Sequence, residues 1–230
     1  MEEIGLKASI EAIYGVSAGA LTGAYWLSGW KAEDIVQNFL KSELFSVKNI
    51  ALPPTKSLLK SFVVEKLLKA GLKKTFEQLE KPLIVGTTDL RKGKSVFFES
   101  WDLIKPVMGS MALPGVFAPV EYENHLLVDG GVTNNFPIDY AKKQHPNSKI
   151  IGILLGKFKT HQKVSNILDT LMVSYEILLR GHLNPTINKA DILFYRNLST
   201  SSFENNEKKL IQLFEQGYQD GITTFSSFKK

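Results

Sequence analysis

The chain predicts an α/β fold, a three-layer α/β/α sandwich around a mainly parallel sheet. Three observations carry this. Short apolar runs alternate with segments of helical period along the chain. Residues 149–155 (KIIGILL) are continuously apolar, as expected of a strand covered on both faces. Gly15-Val16-Ser17-Ala18-Gly19 joins one apolar run to a small-residue helix.

The elements follow in order. Ile10, Ala12, Ile13 and Tyr14 predict a first strand, over about 9–14. Ala18, Ala20, Leu21, Ala24 and Leu27 predict a tightly packing helix over 18–28. A second helix is expected over 31–41, with Glu33 and Asp34 in its first turn, where carboxylates suit the helix dipole. Pro53-Pro54 breaks the chain before a basic helix at 56–71, and Thr75 caps a turn at 76–80. Residues 82–89 (PLIVGTTD) read as a buried strand, Arg91-Lys92-Gly93-Lys94 as a turn and Ser95–Phe98 as a return strand. A helix over 101–111 precedes Pro114-Gly115 and a loop ending at Pro119. Leu126–Val128 is a strand running into Asp129-Gly130-Gly131, and Pro137 opens a helix over 137–144. In the long helix at 163–181, Val164, Ile167, Leu168, Leu171, Met172, Tyr175, Leu178 and Leu179 keep helical spacing, a stripe expected to face the core. Asp191–Tyr195 is the last strand and Asn206–Phe225 the last helix.

At 230 residues, 43% apolar and 22% charged, the chain has the size and composition of one globular domain. The absence of cysteine excludes disulfides, thiolate metal sites and a Cys nucleophile, and fits a reducing, cytoplasmic compartment. No apolar run is long enough to span a bilayer. The net charge of +5 is local: seven lysines against Glu65 lie between Lys48 and Lys74. Leu58, Leu59, Phe62, Val63, Leu67 and Leu68 interleave with them, so the 56–74 segment is either a solvated lysine face over a core-facing stripe or a peripheral contact with an anionic membrane surface. No Arg-rich patch or motif points to nucleic acid.

Gly15-Val16-Ser17-Ala18-Gly19 has the pattern of a nucleophile elbow. Ser17 would occupy a strained turn, with Gly15 and Gly19 small so that neighbouring backbones do not collide. The Ala18 amide at the helix N-terminus would face any oxyanion formed nearby. An inert glycine-rich turn is the competing reading. A Ser nucleophile needs a base. His125, His145, His161 and His182 sit in no motif and read as surface or capping residues. Asp129 stands at a strand end beside Gly130 and Gly131. In an open parallel sheet reacting groups gather at such ends. Asp129 either caps its own turn or acts as a base, provided its surroundings raise its pKa.

The chain resembles bacterial patatin-like phospholipases. The resemblance lies in Gly15-Val16-Ser17-Ala18-Gly19, in Ser110-Met111-Ala112-Leu113-Pro114-Gly115-Val116-Phe117-Ala118-Pro119, and in Asp129-Gly130-Gly131. Asn134, Asn135, Pro137 and the Thr88-Asp89-Leu90 strand end continue it, so that it covers residues 1 to about 155. It implies a patatin-like sandwich and lipid acyl hydrolysis by a Ser–Asp dyad, with Ser17 as nucleophile, Asp129 as general base, and neither metal nor cofactor.

The family's first strand and glycine-rich oxyanion loop precede the elbow and have no counterpart here. The expectation is therefore one incomplete patatin-like domain over 1–230, less stable than a full domain. Its activity would be weakened by roughly 100- to 1000-fold for a lost oxyanion donor. A phospholipase or lysophospholipase leads. A general carboxylesterase or thioesterase and an inactive lipid- or partner-binding remnant compete with it.

Overall fold

A computed structural model describes residues 5–42, 61–156, 164–165, 167–183, 185–197 and 206–226. The expected α/β sandwich forms. Its strands are β1 (Ile13–Val16), β2 (Leu83–Asp89), β3 (Lys94–Phe98), β4 (Val120–Tyr122), β5 (His125–Asp129), β6 (Ile151–Gly156) and β7 (Ile192–Asn197). Its helices are α1 (Ala18–Leu27), α2 (Ala32–Lys41), α3 (Ser61–Gly71), α4 (Ile104–Ser110), α5 (Ile138–Gln144), α6 (Ile167–Leu183) and α7 (Glu207–Phe225).

The strands form a mixed five-stranded sheet of β1 to β5 and a two-stranded parallel sheet of β6 and β7. In the larger sheet β1 runs parallel to β2, while β3 and β5 run antiparallel to β2. A strand has only two edges. Strand β3 covers Val85–Asp89 along one edge of β2. Strands β1 and β5 must therefore share the other, β1 along Leu83–Gly86 and β5 along Thr87–Asp89. They approach head-on: Val16 lies opposite Gly86 and Asp129 opposite Thr87. The parallel-sheet argument for Asp129 is thereby corrected. Ser17 and Asp129 come from strands of opposite direction whose carboxyl ends converge.

Alternation along β1 sorts the layers. Ile13 packs into a core with Ala20, Ala24 and Leu27 of α1, Val64 and Leu68 of α3, and Val107 of α4. Tyr14 points the other way, edge-on to Tyr140 of α5 and to His145. Phe136, Ile138, Leu154 and Leu183 form a second cluster, which joins α5 and α6 to β6. Glycine sets the closest approach. A Cβ on Gly15 would lie 2.6 Å from the Ala20 Cα, so only Gly lets β1 fold straight back onto α1. Gly19 was expected to be under the same constraint and is not, since nothing described lies within 4 Å of a Cβ built there.

The basic helix is described from Ser61; Lys48, Lys56 and Lys60 lie outside the described residues. Val64 and Leu68 face the core, Lys69 pairs with Glu65 at 2.9 Å, and Lys66, Lys73 and Lys74 are exposed. The long-helix stripe departs from expectation. Met172 packs against the core, but Val164, Ile167, Leu171 and Leu178 are exposed. Helical spacing shows that a stripe exists; it does not show which neighbour covers it.

Candidate active site

Ser17 sits between β1 and α1 at φ 53° and ψ −122°, one of three non-glycine residues with positive φ among those described. That conformation costs on the order of 1–3 kcal/mol and survives only where its surroundings hold it. Two of its restraints are visible. Gly15 lets the chain reverse onto Ala20. The Ser17 N–H donates to Ser110 Oγ at 2.8 Å, and the buried Ser110 hydroxyl donates to the Gly86 carbonyl at 2.7 Å. Ser110 thus ties the elbow to the middle of β2. The Ala18 amide opens α1, where a first-turn N–H has no partner within its own helix.

Asp129 is 2% exposed at the end of β5. Its carboxylate accepts from the Gly131 N–H at 2.8 Å, from the Ser17 side chain and from the Tyr175 hydroxyl. Burial raises the carboxyl above its ordinary value, and these hydrogen bonds oppose the rise without cancelling it. A rise is the direction of shift that an aspartate base needs. The turn-capping reading holds: Asp129 caps the 3-10 turn over Gly130–Val132. The two glycines admit these neighbours. A Cβ on Gly130 would lie 2.5 Å from the Gly86 oxygen and 3.0 Å from Val16 Cγ1. A Cβ on Gly131 would lie 2.5 Å from the Tyr175 hydroxyl and 2.6 Å from Leu179 Cδ2.

A patatin-like phospholipase family model matches residues 3–142. The chain belongs to the patatin-like phospholipase family. It is 34% identical over 137 residues to "Probable lipid hydrolase 463L" of Invertebrate iridescent virus 6, covering 52% of this chain and 46% of that protein. It is 44% identical over 62 residues to an uncharacterized NTE family protein of Mycobacterium tuberculosis, covering 27% of this chain and 17% of that one. Human patatin-like phospholipase domain-containing protein 6 is 26% identical over 200 residues, covering 84% of this chain and 14% of its own length. The chain spans less than half the length of each of these relatives. They come from a virus, a bacterium and a mammal, so the family stands without its bacterial qualifier.

The sequence reading of this patatin-like chain missed two residues at the site. In the sequence Ser110 is only the first residue of a motif. Tyr175 was assigned to a core stripe, although a Tyr in such a stripe carries a hydroxyl that must find a partner. Burial and then the Asp129 charge push the Tyr175 phenol far up, so it stays a donor.

The two histidines whose side chains are described, His125 and His145, pair with carboxylates other than Asp129. His125 Nδ1 is 2.8 Å from Asp89 Oδ2, at the start of β5. Four steps along the strand separate His125 from Asp129, about 13 Å. Burial pushes the Asp89 carboxyl up, but His125 and the Leu126 and Arg91 amides outweigh it and hold the group at about 2. That cluster locks the β2–β5 ladder. His145 lies 3.3 Å from Glu11, His161 is outside the described residues, and the side chain of His182 is likewise not described. Among the described residues no three His, Asp or Glu side chains gather as a metal site.

Proposed function

We propose that this chain is a serine acyl-ester hydrolase acting on lipids, of phospholipase or lysophospholipase type, working through Ser17 and Asp129. The observation that carries the reading is the hydrogen bond from the Ser17 side chain to a buried carboxylate whose proton affinity is raised. A serine hydroxyl is a poor nucleophile until a base accepts its proton as the bond to carbon forms. An exposed carboxylate is too weak a base for that work at neutral pH; a desolvated one is stronger. Ser17 Oγ would attack the acyl carbonyl while Asp129 takes the proton. Asp129 would return it to the leaving alcohol, and water activated by the same carboxylate would release the acyl-enzyme.

The oxyanion needs donors. The Ser17 N–H is committed to Ser110, so the Ala18 amide is the nearest candidate. One donor supports slow turnover. The membrane contact proposed for the basic segment falls to the exposed Lys66 of α3 and to the exposed Lys73 and Lys74 just beyond its end. Hydrolysis of a nitrophenyl acyl ester and of a lysophospholipid by wild type, Ser17→Ala and Asp129→Asn tests the reading. Turnover is expected in wild type alone. Equal turnover in Ser17→Ala would remove it.

A further inference from the structure

The turn that follows Asp129 is held from both sides of one peptide. The N–H of the Gly130–Gly131 peptide donates to the Asp129 carboxylate at 2.8 Å. The carbonyl of the same peptide accepts from the Thr133 N–H at 3.2 Å, from the Asn134 N–H at 2.8 Å and, at a longer 3.4 Å, from the Thr88 hydroxyl. A trans peptide is planar, so its C=O and N–H point in opposite directions and turn together. Glycine stands on both sides, and no Cβ hinders rotation of that plane. Whatever anchors the carbonyl therefore aims the N–H.

Three hydroxyls supply an anchor. Thr88 on β2 and Ser95 on β3 stand opposite each other in register. Thr133, at the end of the turn, reaches both: its hydroxyl lies 2.9 Å from that of Thr88 and 2.8 Å from that of Ser95. Each hydroxyl has one hydrogen. With the Thr88 hydrogen on the Gly130 carbonyl, Thr133 must donate to Thr88 and Ser95 to Thr133. The chain then runs one way, from half-buried Ser95 to buried Thr88, and each bond polarises the next. We propose that this Ser95–Thr133–Thr88 chain keeps the Gly130–Gly131 peptide from turning, which makes Thr133 and Thr88 positioning residues for Asp129, an inference that rests on the acyl-hydrolase reading above. A donor on the ionised carboxylate favours ionisation, against the effect of burial. When the peptide swings, Asp129 holds its proton more tightly. Among the described residues the titratable group facing that carboxylate is Tyr175 of α6, and every variant below leaves it unchanged.

The test is Thr133→Val in the whole chain, which keeps the side-chain shape and cuts both hydroxyl contacts. Carbon NMR of carboxyl-labelled aspartate, assigned with Asp129→Asn, follows the Asp129 titration. In parallel, kcat and KM for a soluble nitrophenyl ester are measured across pH. The Asp129 midpoint and the acid limb of kcat should move up together by about half to one pH unit, because the donor is misaimed rather than removed. On that limb kcat then falls roughly three- to tenfold, with KM within about twofold of wild type. Thr133→Ser, which keeps the hydroxyl, should restore both positions. Ser95→Ala cuts only the outer link and should move the midpoint the same way by less. A wild-type midpoint and limb in Thr133→Val, however far its melting temperature falls, overturn the inference. So does a Thr133→Ser chain displaced as far as Thr133→Val. Should Thr133→Val fail to fold, Ser95→Ala decides, and an unmoved midpoint there overturns the inference. A wild type with no ester turnover, but with an Asp129 midpoint that follows Thr133, supports the inference and counts against the hydrolase reading alone.

Discussion

Replacing Tyr175 by phenylalanine removes one donor from Asp129 and leaves the ring that packs beside it. The carboxylate is almost wholly buried, so water cannot substitute freely for the lost hydroxyl. A hydrogen bond to a charged group is worth about 1.5–3 kcal/mol. The bond favours the ionised carboxylate, so its loss makes the proton harder to remove. At about 1.36 kcal/mol per pKa unit, the acid limb of the pH–rate profile should move up by about one to two pH units. Asp129 already binds its proton more tightly folded than unfolded, so stability is lost as pH rises from the unfolded carboxylate range through the raised folded value. Tyr175→Phe raises the folded value further. Its destabilisation relative to wild type should therefore be small below the wild-type folded value, grow from there up to the variant's higher folded value, and level off above that. The assays are kcat/KM for a soluble nitrophenyl ester across pH, and denaturant unfolding at matched pH values. A limb that stays in place or moves down, or a stability difference independent of pH, would refute the argument.

Three further substitutions probe the same junction. Gly130→Ala drives a Cβ against the Gly86 backbone oxygen and should cost about 2–3 kcal/mol or more in urea unfolding, because backbone cannot step aside. Ser110→Ala strips the acceptor from the Ser17 N–H and the donor from the Gly86 carbonyl. It should lose about 1–3 kcal/mol in thermal unfolding, with turnover falling as the elbow relaxes. Gly19→Ala meets open space in α1 and should gain about 0.5–1 kcal/mol in the same assay, with turnover retained.

Much of this was legible in the chain. The apolar run before Gly15 and the small residues after Ser17 announced β1 and α1, since no other element suits those spacings. Strand β2 is buried at all seven positions: Leu83-Ile84-Val85 announce this, whereas Thr87, Thr88 and Asp89 are buried polar groups whose side chains find hydrogen-bond partners on neighbouring segments. Strand β4 was missed because three residues carry no period. The direction of β5 was also illegible: Leu126-Leu127-Val128 gives the same pattern whether the strand runs with β2 or against it. Ser17 and Asp129 were named from local chemistry, whereas Ser110 and Tyr175 join them only through contacts across the sheet. Gly19 shows the reverse error, a motif glycine with no close neighbour to require it.

The central claim is that Asp129 activates Ser17. Its most direct test is the rate and site of acylation-like labelling by a fluorophosphonate, followed by peptide mass spectrometry on wild type, Ser17→Ala and Asp129→Asn. The account predicts a single modified residue, Ser17, with labelling abolished in Ser17→Ala and strongly slowed in Asp129→Asn. Labelling at another residue, or an Asp129→Asn rate equal to wild type, would contradict it.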